Sequence, residues 1–199
     1  MTTTRHTVCF GAATIDTTVT SDVAAADDWV RAVRAAASPA GLLVGLDCEW
    51  KPNYVSWRTN KVAVLQLCAG DRCLVLQLFH AARVPPLVGA LLADPSVRLV
   101  GVGVNEDAAK LGLDYGVACA ATVELEEICN RRLGLVAGGR RRLGLKGYAR
   151  ELLGMAMEKP RHVSMSNWEK RELDVEQIEY ACIDAYVSYK LGERVLLGY

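Results

Sequence analysis

Short alternating, β-branched or nearly continuous apolar stretches, with helical spacing between them, fill the first half of this chain, and apolar residues recur every three to four positions in its second, a pattern that predicts its elements. Residues 6–10 and 14–20 alternate or are β-branched around Gly11, Ala12 and Ala13, which predicts an N-terminal hairpin. Ser21 stands where it would cap a helix over about 22–37, with Val23, Ala26, Trp29, Val30 and Val33 at helical spacing and Ser38-Pro39 ending it. Residues 42–48 are nearly continuously apolar, so this strand is expected to be buried on both faces. Strands over 62–68 and 73–78 flank Ala69-Gly70-Asp71-Arg72 as a second hairpin. A short helix opens at Pro85-Pro86 and runs to 93, residues 98–102 make a further strand, and a helix starts at 105. From there the helical period takes over, across 123–133, 145–153 and 175–196. The expectation is one α/β domain over 1–199, a mixed sheet of five to six strands flanked by helices, with the hairpin and first helix (1–40) belonging to it and a helical C-terminal half.

Composition narrows the partners. A length of 199 residues with 51% hydrophobic content suits one sizeable core. Lysine plus arginine equals aspartate plus glutamate at 23 each, so no global field points to nucleic acid or to a membrane, and any such partner must be met locally. Seven cysteines without a C-x-x-C pair suit small buried thiols in a reducing compartment rather than zinc or disulfides. The start, MTTTRHTVCFG, lacks a leader pattern, and no run approaches ~18 apolar residues, so a cytoplasmic or nuclear location without a membrane partner is expected.

Two acids sit at the lip of the most apolar strand. Asp47 and Glu49 are i and i+2, so their carboxylates share a face while Leu46 and Cys48 take the other, a geometry that suits a divalent metal. A lone D-x-E carries little, because Asp174-Val175-Glu176 repeats the pattern where ordinary helix-start acids belong. Asp107 follows Gly101-Val102-Gly103 into a helix, where capping is the simpler explanation. Tyr180 and Asp184, four apart, share a helical face, as a core-edge tyrosine and a solvated aspartate also would.

Together, Asp47-Cys48-Glu49, Gly101 to Asp107 with Lys110-Leu111 following, and Tyr180 to Asp184 resemble the three motifs of the DEDD exonuclease superfamily, tyrosine subtype, whose DnaQ-like domain has the ribonuclease H fold. The likeness runs from about Gly45 to the end: residues 61–78 look like that family's hairpin, 145–154 like the helix before its third motif, and 164–193 like the Ser-Asx-Trp to Tyr-Ala-x-x-Asp-Ala run of the Werner-type and ribonuclease D-type branch. The N-terminal hairpin resembles small plant members, Werner-like exonucleases and exoribonucleases that clear cleavage products of the RNA-silencing complex.

The resemblance implies metal-dependent 3′-to-5′ removal of nucleoside monophosphates from single-stranded ends, with RNA favoured over DNA. It implies two Mg²⁺ or Mn²⁺ ions, Asp47 bridging both, Glu49 and Asp184 completing one site, Asp107 holding the second, and Tyr180 orienting the attacking water. Hard oxygen ligands without His or Cys are what such ions prefer. It also implies a homo-oligomer, a ring in the silencing-linked members, working beside an Argonaute-type partner; a helicase motor or extra RNA-binding domain is not expected in 199 residues.

Substrate contacts are sought locally. Between Arg131 and Arg150 there are seven basic residues and no acid, and Arg140, Arg141, Arg142 and Lys146 are candidate phosphate contacts, with a solvated loop as the alternative. Trp50, Asn53, Tyr54 and Trp57 follow the D-x-E, where rings could stack on a terminal base or pack in the core; Asn105, beside the second motif, is a further candidate. Trp168 and Leu173 read as packing, and His162 shows no acidic partner. The competing class is a catalytically silent nucleic-acid- or protein-binding module on the same fold. A small-molecule enzyme lacks support, since Gly101-Val102-Gly103 has no third glycine at phosphate-loop spacing.

Overall fold

The structure is a computed structural model that describes residues 2–38, 41–53, 59–135 and 143–198. The strands are β1 (Thr3–Phe10), β2 (Ala13–Thr20), β3 (Leu42–Glu49), β4 (Val64–Ala69), β5 (Arg72–Leu76), β6 (Val97–Gly101) and β7 (Thr122–Glu124). They form one sheet in the order β1-β2-β5-β4-β3-β6-β7, antiparallel at β1–β2, β3–β4 and β4–β5 and parallel at β2–β5, β3–β6 and β6–β7. The expected α/β class and mixed sheet are therefore present. Seven strands replace the five to six expected, because the helix read over 123–133 opens as β7, and three residues are too short to show a period of two.

Helices α1 (Val23–Ala35), α2 (Pro86–Leu92) and α3 (Val104–Tyr115) cover one side of the sheet. Their core holds Trp29, Val30, Val88, Leu91 and Leu111 against Val44, Leu46 and Cys48 of β3. The N-cap of α1 is Asp22 rather than Ser21: Asp22 is extended (φ −86°, ψ 128°), and its side chain accepts from the Ala25 amide at 2.9 Å. Ser21 instead continues the hairpin, its amide donating to the Thr2 carbonyl at 3.3 Å.

The other side carries α4 (Leu125–Arg132), α5 (Gly144–Tyr148) continued by a π-helical turn over Ala149–Leu153, the short α6 (Arg161–Ser164), and α7 (Val175–Gly192) with a π-helical turn Glu193–Leu197 behind it. Asp174 begins α7 with a reciprocal capping box through Gln177, so the second D-x-E is a helix start. Trp168 is fully buried and Leu173 packs beside it, both as scaffold, as read. His162 lies on the solvent side, its Nε2 3.1 Å from Glu176 Oε2, a pairing of two elements that spacing along one chain does not show.

The seat of α7 depends on a missing side chain. A Cβ on Gly45 would stand 2.1 Å from the Ala185 carbonyl oxygen and 2.6 Å from the Tyr189 amide nitrogen, so helix backbone rests on strand backbone there. Ala181, Ala185 and Gly192 keep the buried face of α7 small enough to permit it. Gly45→Ala should therefore lower stability by about 3 kcal/mol through overpacking against rigid backbone, measured by urea unfolding; Gly70→Ala, which meets nothing within 4 Å but has φ +62°, should lose less.

Candidate active site

Strand alternation turns Leu43, Gly45, Asp47 and Glu49 toward α7 while Val44, Leu46 and Cys48 enter the opposite core. The close seat at Gly45 brings Asp184, one turn after Tyr180 on α7, over the end of β3. Asp47, Glu49 and Asp184 each offer an oxygen within 4.8 Å of the others. Asp107, in the first turn of α3, stands outside that tight group but close enough to Asp47 for their charges to perturb one another. The structure thus brings all four acids and the tyrosine to one edge of the sheet.

The two glycines before Asp107 have separate reasons. A Cβ on Gly101 would meet the Leu46 carbonyl oxygen at 2.7 Å, and Gly103 adopts φ +87° as the N-cap of α3. Glu124, at the end of β7, accepts from the Gly103 amide with both carboxylate oxygens at 3.0 Å and so fixes that turn.

Crowding governs the ionisation of the acids. Burial first, then Asp184, Asp107 and Glu49, raise the Asp47 carboxyl well above the ordinary range. Burial and then Asp184 push Glu49 up to about 8. Burial, then Glu106 and Glu124, push Asp107 up to about 7. Burial also raises Asp184, against the pull of Lys159. Tyr180 is raised by burial and then by Asp184, so its hydroxyl keeps its proton at neutral pH.

Three neighbours had no signal in the sequence. Lys159, before α6, places Nζ 2.6 Å from Asp184 Oδ2 and 5.3 Å from the Tyr180 ring centroid. The ammonium is thus the close counter-charge of the buried Asp184, lowering a carboxyl that burial raises. Gln66 pairs opposite Asp47 in the β3–β4 ladder, is wholly buried, and leaves both amide atoms without partners. Glu124 is the third. All three are joined to the acids by strand register or loop placement, which no spacing rule links to them.

The substrate-contact candidates are dispersed. Trp50 packs half-buried on the core, with Lys110 Nζ 5.1 Å from its ring centroid. Lys110 itself pairs with Asp114 at 3.1 Å. Asn105 accepts from the Thr122 hydroxyl at 2.8 Å and lines a cavity of about 370 Å³ with Glu106, Glu124, Glu126 and Glu127, an acidic setting that disfavours a phosphate. Lys146 pairs with Glu158 on the surface at 3.0 Å. Arg140, Arg141, Arg142, Tyr54 and Trp57 lie outside the described residues. A cavity of about 460 Å³ opens at the far end of β3, beside Leu42, Arg98 and Tyr189, and contains none of the acids.

The mixed sheet flanked by helices, with acids crowded at the end of a central strand, has the ribonuclease H-like architecture. A family model described as 3′-5′ exonuclease matches residues 17–195, and the chain belongs to this family. A 3′-5′ exonuclease of Arabidopsis thaliana is 33% identical over 150 residues, 74% of this chain and 50% of that protein. The bifunctional 3′-5′ exonuclease/ATP-dependent helicase WRN of Mus musculus is 32% identical over 156 residues, 78% of this chain and 11% of that one. The chain therefore spans about half the length of the Arabidopsis relative and a small part of the mouse one. Among solved structures, the EXD2 exonuclease domain soaked in Mg and GMP superposes with TM-score 0.52 at 28% identity, covering 92% of this chain and 89% of that one. RNase D of Escherichia coli, described as an exoribonuclease involved in structured RNA processing, superposes with TM-score 0.72 at 18% identity over 90% of this chain and 44% of its own, a likeness of fold. Among the described residues no helix is long and apolar enough to cross a membrane.

Raised acids make the metal-free protein sensitive to pH. Glu49 and Asp107 hold protons to about 8 and about 7 when folded, against ordinary values of 4.5 and 3.8, so over that interval the folded chain binds more protons than the unfolded one. Stability is then highest below the ordinary values and falls as pH rises through the folded ones. In EDTA the Tm should decline between about pH 5 and pH 8, and Glu49→Gln should make the decline shallower. A Tm in EDTA that rises over this range, equally in both proteins, would contradict the assignment.

Proposed function

We propose that this chain is a tyrosine-type 3′-to-5′ exonuclease that hydrolyses the terminal phosphodiester of a single-stranded nucleic acid and releases nucleoside monophosphates. The observation that carries this reading is the convergence of Asp47, Glu49 and Asp184 within 4.8 Å. Oxygen donors alone, and carboxyls held above their ordinary range by burial and then by one another's charge, fit a divalent cation. Asp47, Glu49 and Asp184 would hold one Mg²⁺ or Mn²⁺ ion, and Asp107 with Asp47 a second. Such a pair, when bound, supplies a nucleophilic water at neutral pH and neutralises charge on the leaving oxygen.

The chain's own residues set the geometry around that chemistry. Tyr180, whose raised ionisation keeps its hydroxyl protonated, orients the attacking water by a hydrogen bond instead of removing its proton. The Gly103 turn, pinned by Glu124, fixes the first turn of α3 and with it Asp107. RNA is kept as the favoured strand on the likeness to the small plant exoribonucleases. Neither the fold nor the relatives bear on a homo-oligomeric ring or an Argonaute-type partner, and neither enters the proposal.

A 5′-labelled oligonucleotide should shorten to a ladder from its 3′ end in Mg²⁺ or Mn²⁺. Asp47→Ala and Asp184→Asn should each lower the rate by about a hundredfold or more while the fold survives by circular dichroism. Binding without shortening, equal in all three proteins, would favour a silent module. Matched RNA and DNA strands in the same assay decide the substrate, faster loss of RNA being expected.

A further inference from the structure

The acidic centre contains one positive charge that the metal reading does not use. Lys159 Nζ lies 2.6 Å from Asp184 Oδ2, a close ion pair that sets the ammonium on this oxygen. The Asp184 side chain is 2% exposed and that of Lys159 is 32% exposed. The acid is fixed on α7, whereas the lysine reaches in from the segment before α6 with part of its stem in solvent. Its ammonium also stands 5.3 Å from the Tyr180 ring centroid, a second resting place that does not need the carboxylate.

We infer that Lys159 is a displaceable counter-cation: it neutralises Asp184 while the centre is metal-free and gives up that oxygen when a divalent ion binds. The inference rests on the metal reading proposed above. One buried and two half-buried acids within 4.8 Å disfavour one another's ionisation, and a cation among them lets the metal-free chain keep them assembled. A divalent ion carries twice the charge and would bond the same carboxylate oxygen, so the two compete for one atom. Lys159 therefore acts as a positioning residue that weakens metal binding while preserving the site for it.

Two measurements on the full chain test this, with Mn²⁺ alone as the probe. In the first, wild-type protein is reductively methylated in EDTA and in Mn²⁺, and each lysine is followed by peptide mass spectrometry with the surface Lys146 as internal reference. Methylation of Lys159 should accelerate several-fold in Mn²⁺ while that of Lys146 stays constant. In the second, Mn²⁺ is titrated calorimetrically: Lys159→Met should bind with a Kd about threefold to tenfold lower than wild type, because the competing occupant is gone. Lys159→Arg, which keeps the pairing charge, should not, and the metal-free Tm of Lys159→Met should fall. If Mn²⁺ binds wild type but Lys159 methylates at an unchanged or slower rate, or if Lys159→Met binds Mn²⁺ more weakly, the inference is overturned and the metal reading stands. If calorimetry finds no Mn²⁺ binding to wild type, the metal reading itself falls.

Discussion

Backbone contact between α7 and β3 at Gly45 is the constraint on which the rest of the structure depends. The Ala185 carbonyl and Tyr189 amide stand where a Cβ of any other residue would be, so the helix lies closer to the sheet than side chains ordinarily allow. That approach sets the height of Asp184 above Asp47 and Glu49, two and four residues further along the same face of β3. A similar close fit recurs at Gly192, where a Cβ would meet Val100 Cγ2 at 2.8 Å, so the C-terminal half of α7 is seated at two successive points. The scaffold thereby forces carboxylates together that would separate if they were free to do so.

The electrostatic consequence follows from that geometry. Acids buried in one another's field hold their protons and lose stability when they ionise, and only a cation can relieve the strain. Lys159 provides partial relief from within the chain, yet Asp47 and Glu49 stay above their ordinary range beside it. Rigid packing and an unsatisfied polar centre are two sides of one arrangement, in which the hydrophobic sheet stabilises a site that is unfavourable by itself. Membership of the 3′-5′ exonuclease family is consistent with such a division between scaffold and site.

Much of this was legible in the sequence where local rules apply. The apolar run of β3 ending in Asp47 and Glu49, the glycine-led start of α3 and the helical spacing of Tyr180 and Asp184 all depend on near neighbours in the chain, and each lies where its period implied. Local rules failed where a choice was close or a signal short. Ser21 and Asp22 are both good caps, and the hydrogen bond of Ser21 to Thr2 decided between them. Strand β7 consists of three residues and was absorbed into the helix that follows it. Lys159, Glu124 and Gln66 were missed because each meets the site through tertiary placement, and the His162–Glu176 pair for the same reason. Even Gly45, the position on which the site depends, looks in sequence like an unremarkable interruption of an apolar strand.

The most direct test of the account is the anomalous scattering of a crystal of this protein soaked in Mn²⁺. The account predicts a manganese peak bonded by carboxylate oxygens of Asp47, Glu49 and Asp184, with the Lys159 ammonium no longer at Asp184 Oδ2. Manganese bound elsewhere on the molecule, with these three carboxylates still meeting only one another and Lys159, would contradict it.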